Sequence, residues 1–264
     1  MLFDGYLICT DCDGTLTDTE GRLSKENAHA IRYFQKQGGR FTLATGRFAN
    51  HLENFADQME INAPMISLNG TLLYDTKRQT VLKEWKMAKR VCIPIVEYVV
   101  AHWPNVRELW MNCGLEDGIP FFPGQMDWHS FAEKLPEQWY KLVMIQEADV
   151  TMALQADLRA RFGKEFHFDS SWPNGLEMQS CLSGKGVAVQ WLKDYYQGAV
   201  HTTVCIGDAE NDLNMLSCAD ISYAVANATK SAKRVADRLT VGNNEDALAH
   251  VIAELEAEIR EKGK

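Results

Sequence analysis

The chain has 264 residues, 46% hydrophobic and 24% charged, enough apolar content for one large core or two smaller ones. Its net charge of −9 argues against general binding to nucleic acid or to an anionic membrane, but not against a phosphorylated small molecule, because a local cation can invert the field at one site. No apolar run has the length of a bilayer span, and Met1–Cys9 lacks the basic region and long apolar stretch of a signal peptide, so the expected location is cytoplasmic. Seven scattered cysteines suit reduced thiols rather than a disulfide framework, and the histidines show no zinc-ligand spacing.

In chain order, Leu7–Cys9 reads as a short buried parallel strand that stops at the aspartates. Ser24 is the expected N-cap of a helix to about Gln37, with Glu26 in its first turn, Gly38-Gly39 as its stop, and Ala28, Ile31 and Phe34 along one face. Phe41–Ala44 reads as a second strand ending at Thr45-Gly46-Arg47; a helix is expected next, then a third strand, Met65–Leu68, ending at Asn69-Gly70. From about Lys83 to Ser183 the texture changes: six of the seven tryptophans, Trp85 to Trp172, lie there. Within it, "KLVMIQ" (Lys141–Gln146) and "GLEMQSCL" (Gly175–Leu182) read as strands, and "DVTMALQADLRARFG" as a helix. The first pattern then returns, with a strand at Val204–Ile206, an acidic loop, short strands in "ISYAVAN" and "LTV", and an amphipathic helix at Asp246–Glu261. Strands alternating with helices predict an α/β fold with a doubly wound parallel sheet, residues 1–82 and 184–264, and an inserted α/β domain at 83–183.

The stretch "ICTDCDGTLTD" (Ile8–Asp18) admits two chemistries. Cys9 and Cys12 have the spacing of a redox dithiol, but their neighbours are anionic, which raises a thiol's pKa and lowers its reactivity. Asp11 and Asp13 are two apart, so on an extended segment both carboxylates face one side. At about 4 Å such a pair repels by roughly 4 kcal/mol at an effective dielectric near 20, and needs a proton or a cation. A second acidic loop, "GDAEND", carries Asp208 and Asp212 after another strand. In an open parallel sheet the loops at the carboxyl ends share one rim, where ligands bind. An oxygen-only cluster favours Mg²⁺ over softer metals. The same rim would receive Thr45, with Gly46 and Arg47 behind it, and Lys185 ahead of a helix, groups that suit an anion. Other residues keep two readings: Arg47 as a surface ion-pair partner or a substrate ligand, Asn69 and Gly70 as a turn or a binding element, Glu177 as a buried strand-end acid or a substrate contact. The inserted domain's aromatics, among them Phe121, Phe122, Trp128, Trp139 and Trp172, read mainly as core.

The order of these parts resembles the haloacid dehalogenase (HAD) superfamily. D-x-D-G-T at Asp11–Thr15, T-G-R at Thr45–Arg47, K-G at Lys185-Gly186 and G-D-x-x-N-D at Gly207–Asp212 are similar to its four motifs, and the insertion resembles the α/β cap of subclass IIB. "SLNG" at 67–70, "GLEM" at 175–178 and "AVANAT" agree with the Cof-like phosphatase branch. The resemblance implies a Mg²⁺-dependent hydrolase of small phosphomonoesters, with sugar phosphates as the first expectation. Asp11 would attack phosphorus, and Asp13 would act as general acid and base. Mg²⁺ would be held by Asp11, the Asp13 backbone carbonyl and Asp208, with Asp212 in support. Thr45 and Lys185 would hold phosphate oxygens, and Gly46, Arg47, Asn69, Glu177 and Asn211 would stand on the substrate side. Two departures are Cys12, where an aliphatic residue is usual, and Ala226, where a glycine precedes the asparagine, so a phosphate contact is not carried over to Asn227. A phosphomutase of the same subclass and a non-catalytic protein binding a phosphorylated metabolite are the rival readings. The oligomeric state is left open.

Overall fold

The computed structural model describes residues 1–48 and 59–263; the helix expected after Arg47 falls on 49–58, outside the described residues. The chain divides into two compact units, Met1–Leu82 with Lys185–Lys264, and Lys83–Gly184.

The first unit is built on a parallel five-stranded sheet in the order Arg238–Leu239, Ile221–Ala224, Thr202–Gly207, Tyr6–Thr10, Arg40–Leu43. The two central strands, YLICT and TTVCIG, are buried on both faces, which explains why they read as short apolar runs rather than alternations. Two helix pairs accompany the sheet: Lys25–Lys36 packs on Ala247–Lys262, and Lys185–Tyr195 on Leu213–Cys218. Ser24 caps Lys25–Lys36 as expected, its side chain accepting from the Asn27 N–H, with Ala28, Ile31 and Phe34 buried along the inner stripe. From Tyr6–Thr10 the chain moves to Arg40–Leu43 on one side, whereas Thr202–Gly207 and its successors lie on the other. The strand order therefore reverses between Tyr6–Thr10 and Thr202–Gly207, the crevice where open α/β sheets bind ligands.

The third expected strand differs from a simple continuation. Met65–Ser67 touches the parallel sheet through one bridge, Ala44 to Ile66, and then turns back to pair antiparallel with Leu72–Asp75 in a small sheet that includes Thr80–Glu84. The turn is made at Leu68 and Asn69, both at left-handed φ (50° and 57°).

The second unit holds an antiparallel sheet in the order Phe166–Trp172, Gly175–Ser180, Lys141–Gln146, Val106–Asn112, Ile119–Phe121. Period-2 alternation splits its side chains. Leu109, Met111, Leu142, Met144, Phe168, Leu176 and Met178 form one core with Cys92, Val96 and Val99 of helix Lys89–His102 and Leu154 and Leu158 of helix Thr151–Phe162. The alternate positions include Lys141 and Glu177. Phe121, Trp128 and Trp139 are buried in that core, whereas Phe122 and Trp172 are half-buried. Among the described residues no helix is long and apolar enough to cross a membrane.

Candidate active site

Register brings the motifs to one edge. Thr10 pairs with Leu43 on one side and Ile206 on the other, so Asp11, Thr45 and Asp208 lie within two residues of the carboxyl ends of neighbouring strands. The Asp11 N–H extends the ladder by donating to the Ile206 carbonyl at 2.9 Å. Past Asp11 the chain leaves the extended state and makes a single irregular turn, Cys12–Leu16. The extended segment on which the same-side expectation rested therefore ends at Asp11. Asp11 is buried at 6% exposure, whereas the Asp13 side chain is 52% exposed and is gripped by Arg47, whose Nε and Nη2 donate to its two oxygens at 2.8 and 2.5 Å.

Lys185 begins helix Lys185–Tyr195 fully buried and donates to Asp11 Oδ1 and Asp212 Oδ1, both at 2.6 Å. Asp212 ties the acidic loop to itself: its other oxygen accepts from the backbone N–H of Asp208 at 2.9 Å and of Ala209 at 3.1 Å. Gly207 permits this closeness, because a Cβ there would come within 2.6 Å of the Asp212 carboxyl carbon. Asp208 accepts the Thr15 hydroxyl at 2.8 Å. Thr15 and Asn214 (which accepts from the Gly186 N–H at 3.1 Å) are contacts that motif reading alone did not single out, and Asn227, named there only as a departure, donates to the Gly14 carbonyl at 2.7 Å. Thr15 lies inside the quoted D-x-D-G-T, so a signal for it was there.

The carboxylates of Asp11, Asp208 and Asp212 each offer an oxygen within 4.8 Å of the others. Burial pushes the Asp11 carboxyl well above the ordinary range; Lys185 opposes the rise, and Asp212 and Asp208 add to it. Asp208 is pushed up to about 6, first by burial and next by Asp212, against the Thr15 hydrogen bond and Lys185. Burial works against the Lys185 charge, but Asp11 and Asp212 outweigh it and hold the ammonium protonated. Three carboxylates therefore face one ammonium, and every donor is a hard oxygen. That combination of surplus negative charge and donor type fits a hard divalent cation. Cys12 is buried and its thiol is driven far upward, by burial first and then by Asp13 and Asp11. A buried thiol whose proton is held this tightly is a poor nucleophile, which argues against the dithiol reading.

The remaining expected residues divide. Thr45 is buried, and its hydroxyl accepts the Arg47 N–H at 3.1 Å. Asn211 donates to Asn69 at 3.0 Å, and Gly46 lies so near Asn69 that a Cβ would stand 3.0 Å from its side-chain oxygen. Thr45, Gly46, Asn69 and Asn211 thus form one connected edge in the first unit. Glu177 belongs to the second unit, where it is buried against Lys141 at 2.5 Å and accepts the Ser171 hydroxyl at 2.6 Å.

The sequence profile of haloacid dehalogenase-like hydrolases matches residues 8–112 and 122–252. The chain belongs to that family. This haloacid dehalogenase-like hydrolase is 25% identical, over 94% of its length and 95% of the relative's, to the 5-amino-6-(5-phospho-D-ribitylamino)uracil phosphatase YcsE of Bacillus subtilis. Its fold is shared with SMU.1108c from Streptococcus mutans, at a TM-score of 0.79 with 20% identity and coverage of 95% and 98% of the two chains. It is shared equally with the HAD subclass IIB sugar phosphatase BT4131, at a TM-score of 0.79 with 16% identity and coverage of 94% and 98%. The hydrolase is accordingly a phosphatase-type enzyme with a HAD core.

Proposed function

We propose that the enzyme is a Mg²⁺-dependent phosphomonoesterase acting through an aspartyl-phosphate on Asp11. The observation that carries this reading is Asp11 itself: a carboxylate buried at the switch point of the sheet, fixed by Lys185 and set in a cluster with more negative charge than its protein partners neutralise. Asp11, Asp208 and the Asp13 backbone carbonyl would hold Mg²⁺, with Asp212 supporting the loop. When bound, Mg²⁺ would offset the repulsion between the Asp11 carboxylate and a phosphate dianion.

Lys185 engages Asp11 Oδ1, so Oδ2 is the attacking atom. Asp11 Oδ2 would bond to phosphorus as the ester P–O bond breaks, and Asp13, which must first leave Arg47 and take up a proton from solvent, would give that proton to the departing alkoxide. Asp13, now a carboxylate, takes a proton from the water that attacks the aspartyl-phosphate, releasing phosphate and restoring Asp11. Lys185 and Thr45 steady the transferring oxygens, a positioning and charge-stabilising role. Arg47, which holds Asp13, would exchange that partner for the phosphate.

The substrate reading is a phosphate ester on a polyhydroxylated carbon chain, a sugar or alditol phosphate. It is supported by the names of two similar proteins, one a sugar phosphatase and the other acting on a phosphoribityl compound. Residues 83–184 would be the cap that selects the ester, Glu177 among its contributors. The test is phosphate release from a panel of phosphomonoesters with Mg²⁺ or chelator. Wild type is expected to need Mg²⁺, with sugar and alditol phosphates ranking first, and Asp11→Asn to lose roughly a thousandfold or more in turnover while remaining folded. Release that survives Asp11→Asn, or no release from any ester by folded, Mg²⁺-supplied wild type, would overturn the reading.

A further inference from the structure

Asn227 lies in "AVANAT", the segment after Ile221–Ala224, where the neighbouring Ala226 departs from the family pattern. Its side chain is committed at both ends. Nδ2 donates to the Gly14 carbonyl at 2.7 Å, and Oδ1 accepts from the Asn243 N–H at 2.9 Å. Asn243 is buried and adds a second rung, its own Nδ2 donating to the Thr17 carbonyl at 2.9 Å. The platform is tied down in turn: the Ala226 N–H donates to Val241, Lys233 Nζ to the Ala226 carbonyl, and the Thr229 N–H to the Asp208 carbonyl.

These rungs hold a loop whose conformation has a close alternative. Asp13 (φ −81°, ψ 122°) and Gly14 (φ 79°, ψ −2°) have the angles of the central residues of a type II turn. A type I turn uses the same end points with the central peptide turned over, and that peptide carries the Asp13 carbonyl. Gly14 makes the type II form accessible, since its φ is left-handed and a Cβ would stand 3.0 Å from Asp208 Oδ2. Accessibility does not select it, because glycine tolerates either form. Selection needs an anchor on each side of the turn. The Asp11 N–H on Ile206 supplies one, and the Asn227 amide on Gly14 supplies the other. The next residue, Thr15, carries the hydroxyl that fixes Asp208.

We propose that Asn227, seated on Asn243, is a positioning residue for the cation site: it locks the Asp13–Gly14 turn so that the Asp13 carbonyl and, through Thr15, the Asp208 carboxylate keep one arrangement. The proposal rests on the Mg²⁺ reading given above. Outer partners of this kind typically change metal affinity by roughly ten- to a hundredfold.

The experiment compares wild type, Asn227→Ala and Asn243→Ala as full-length protein, with thermal melts to establish folding. Mg²⁺ alone is titrated by calorimetry, and amide exchange is followed over residues 12–16. Asn227→Ala is expected to bind Mg²⁺ roughly ten- to a hundredfold more weakly, to exchange faster over the turn, and to regain turnover at high Mg²⁺ with an unchanged KM for the ester. Asn243→Ala should move the same way by less. Unchanged exchange in a folded Asn227→Ala protein would overturn the clamp. Faster exchange with unaltered Mg²⁺ affinity would overturn its link to the cation, and a raised KM with unaltered Mg²⁺ affinity would make Asn227 a phosphate ligand instead. Wild type that binds no Mg²⁺ would overturn the function proposed above together with that link, leaving the exchange data to judge the clamp.

Discussion

Each unit buries a lysine against carboxylate, and the two arrangements differ in charge. In the second unit Lys141 meets Glu177, whose second oxygen takes the Ser171 hydroxyl; both charged side chains are almost wholly buried, at 4% and 3% exposure. In the first, Lys185 divides itself between Asp11 and Asp212, with Asp208 close by. Burial is common to both, so depth alone does not mark a reactive site. What separates them is stoichiometry. The Lys141–Glu177 contact matches charge with charge, whereas the acids around Lys185 outnumber it and leave a field that an added cation or a proton relieves.

The sharpest way to break this comparison is to remove each lysine. Lys185→Met is expected to lower phosphate release by roughly a hundred- to a thousandfold, from the loss of a charge-stabilising donor. It should also cost about 3–5 kcal/mol in urea unfolding, because the buried acids lose their counter-charge. Lys141→Met should cost a similar amount in stability. The two sites part in the double variants: Lys141→Met with Glu177→Leu should recover most of that loss, since a buried pair replaced by apolar groups is often neutral. Lys185→Met with Asp212→Leu should not, because the N–H groups of Asp208 and Ala209 would lose their acceptor. If both doubles recover equally, the distinction drawn here is wrong.

A smaller effect tests the surplus charge directly. In chelated protein the Asp208 carboxyl sits at about 6 against an ordinary 3.8. A raised carboxyl binds its proton more tightly when folded, so its stabilising protonation is fully present below the ordinary value and is lost as pH rises through the folded one. Metal-free wild type should therefore lose up to about 3 kcal/mol across that window. Asp208→Asn should show a flatter profile, and Mg²⁺ should restore the wild-type melting temperature at neutral pH. A profile identical in wild type and Asp208→Asn would remove the electrostatic argument.

What the sequence disclosed follows from how the information is stored. The α/β architecture and the convergence of Asp11, Thr45, Lys185, Asp208 and Asp212 were legible because each motif directly follows a short apolar run, or opens a helix, and the parallel topology does the rest. The turn after Asp11 was not legible, because an aspartate two residues on reads as same-sided only while the strand persists. Arg47 on Asp13 and Asn227 on Gly14 join residues 34 and 213 positions apart, and no local pattern announces such pairs. In the second unit, Val106–Asn112 and Phe166–Trp172 went unread because their outward positions mix charged, polar and aromatic groups, and helix Lys89–His102 carries Pro94, which reads as a breaker.

The register of the central strand also carries a consequence for how the chain is made. Tyr6–Thr10 must pair with Thr202–Gly207, so the first-synthesised part of the parallel sheet lacks one neighbour until nearly the whole polypeptide has emerged. Lys83–Gly184, contiguous and joined mostly by nearby antiparallel pairings, has all its partners earlier in the chain. The acidic loop after Tyr6–Thr10 therefore gains Lys185 and its second strand neighbour only after the insertion has been made. Closure of the acidic cluster around Asp11 is thus a late event of assembly, set by the arrival of the segment from Lys185 to Asp212.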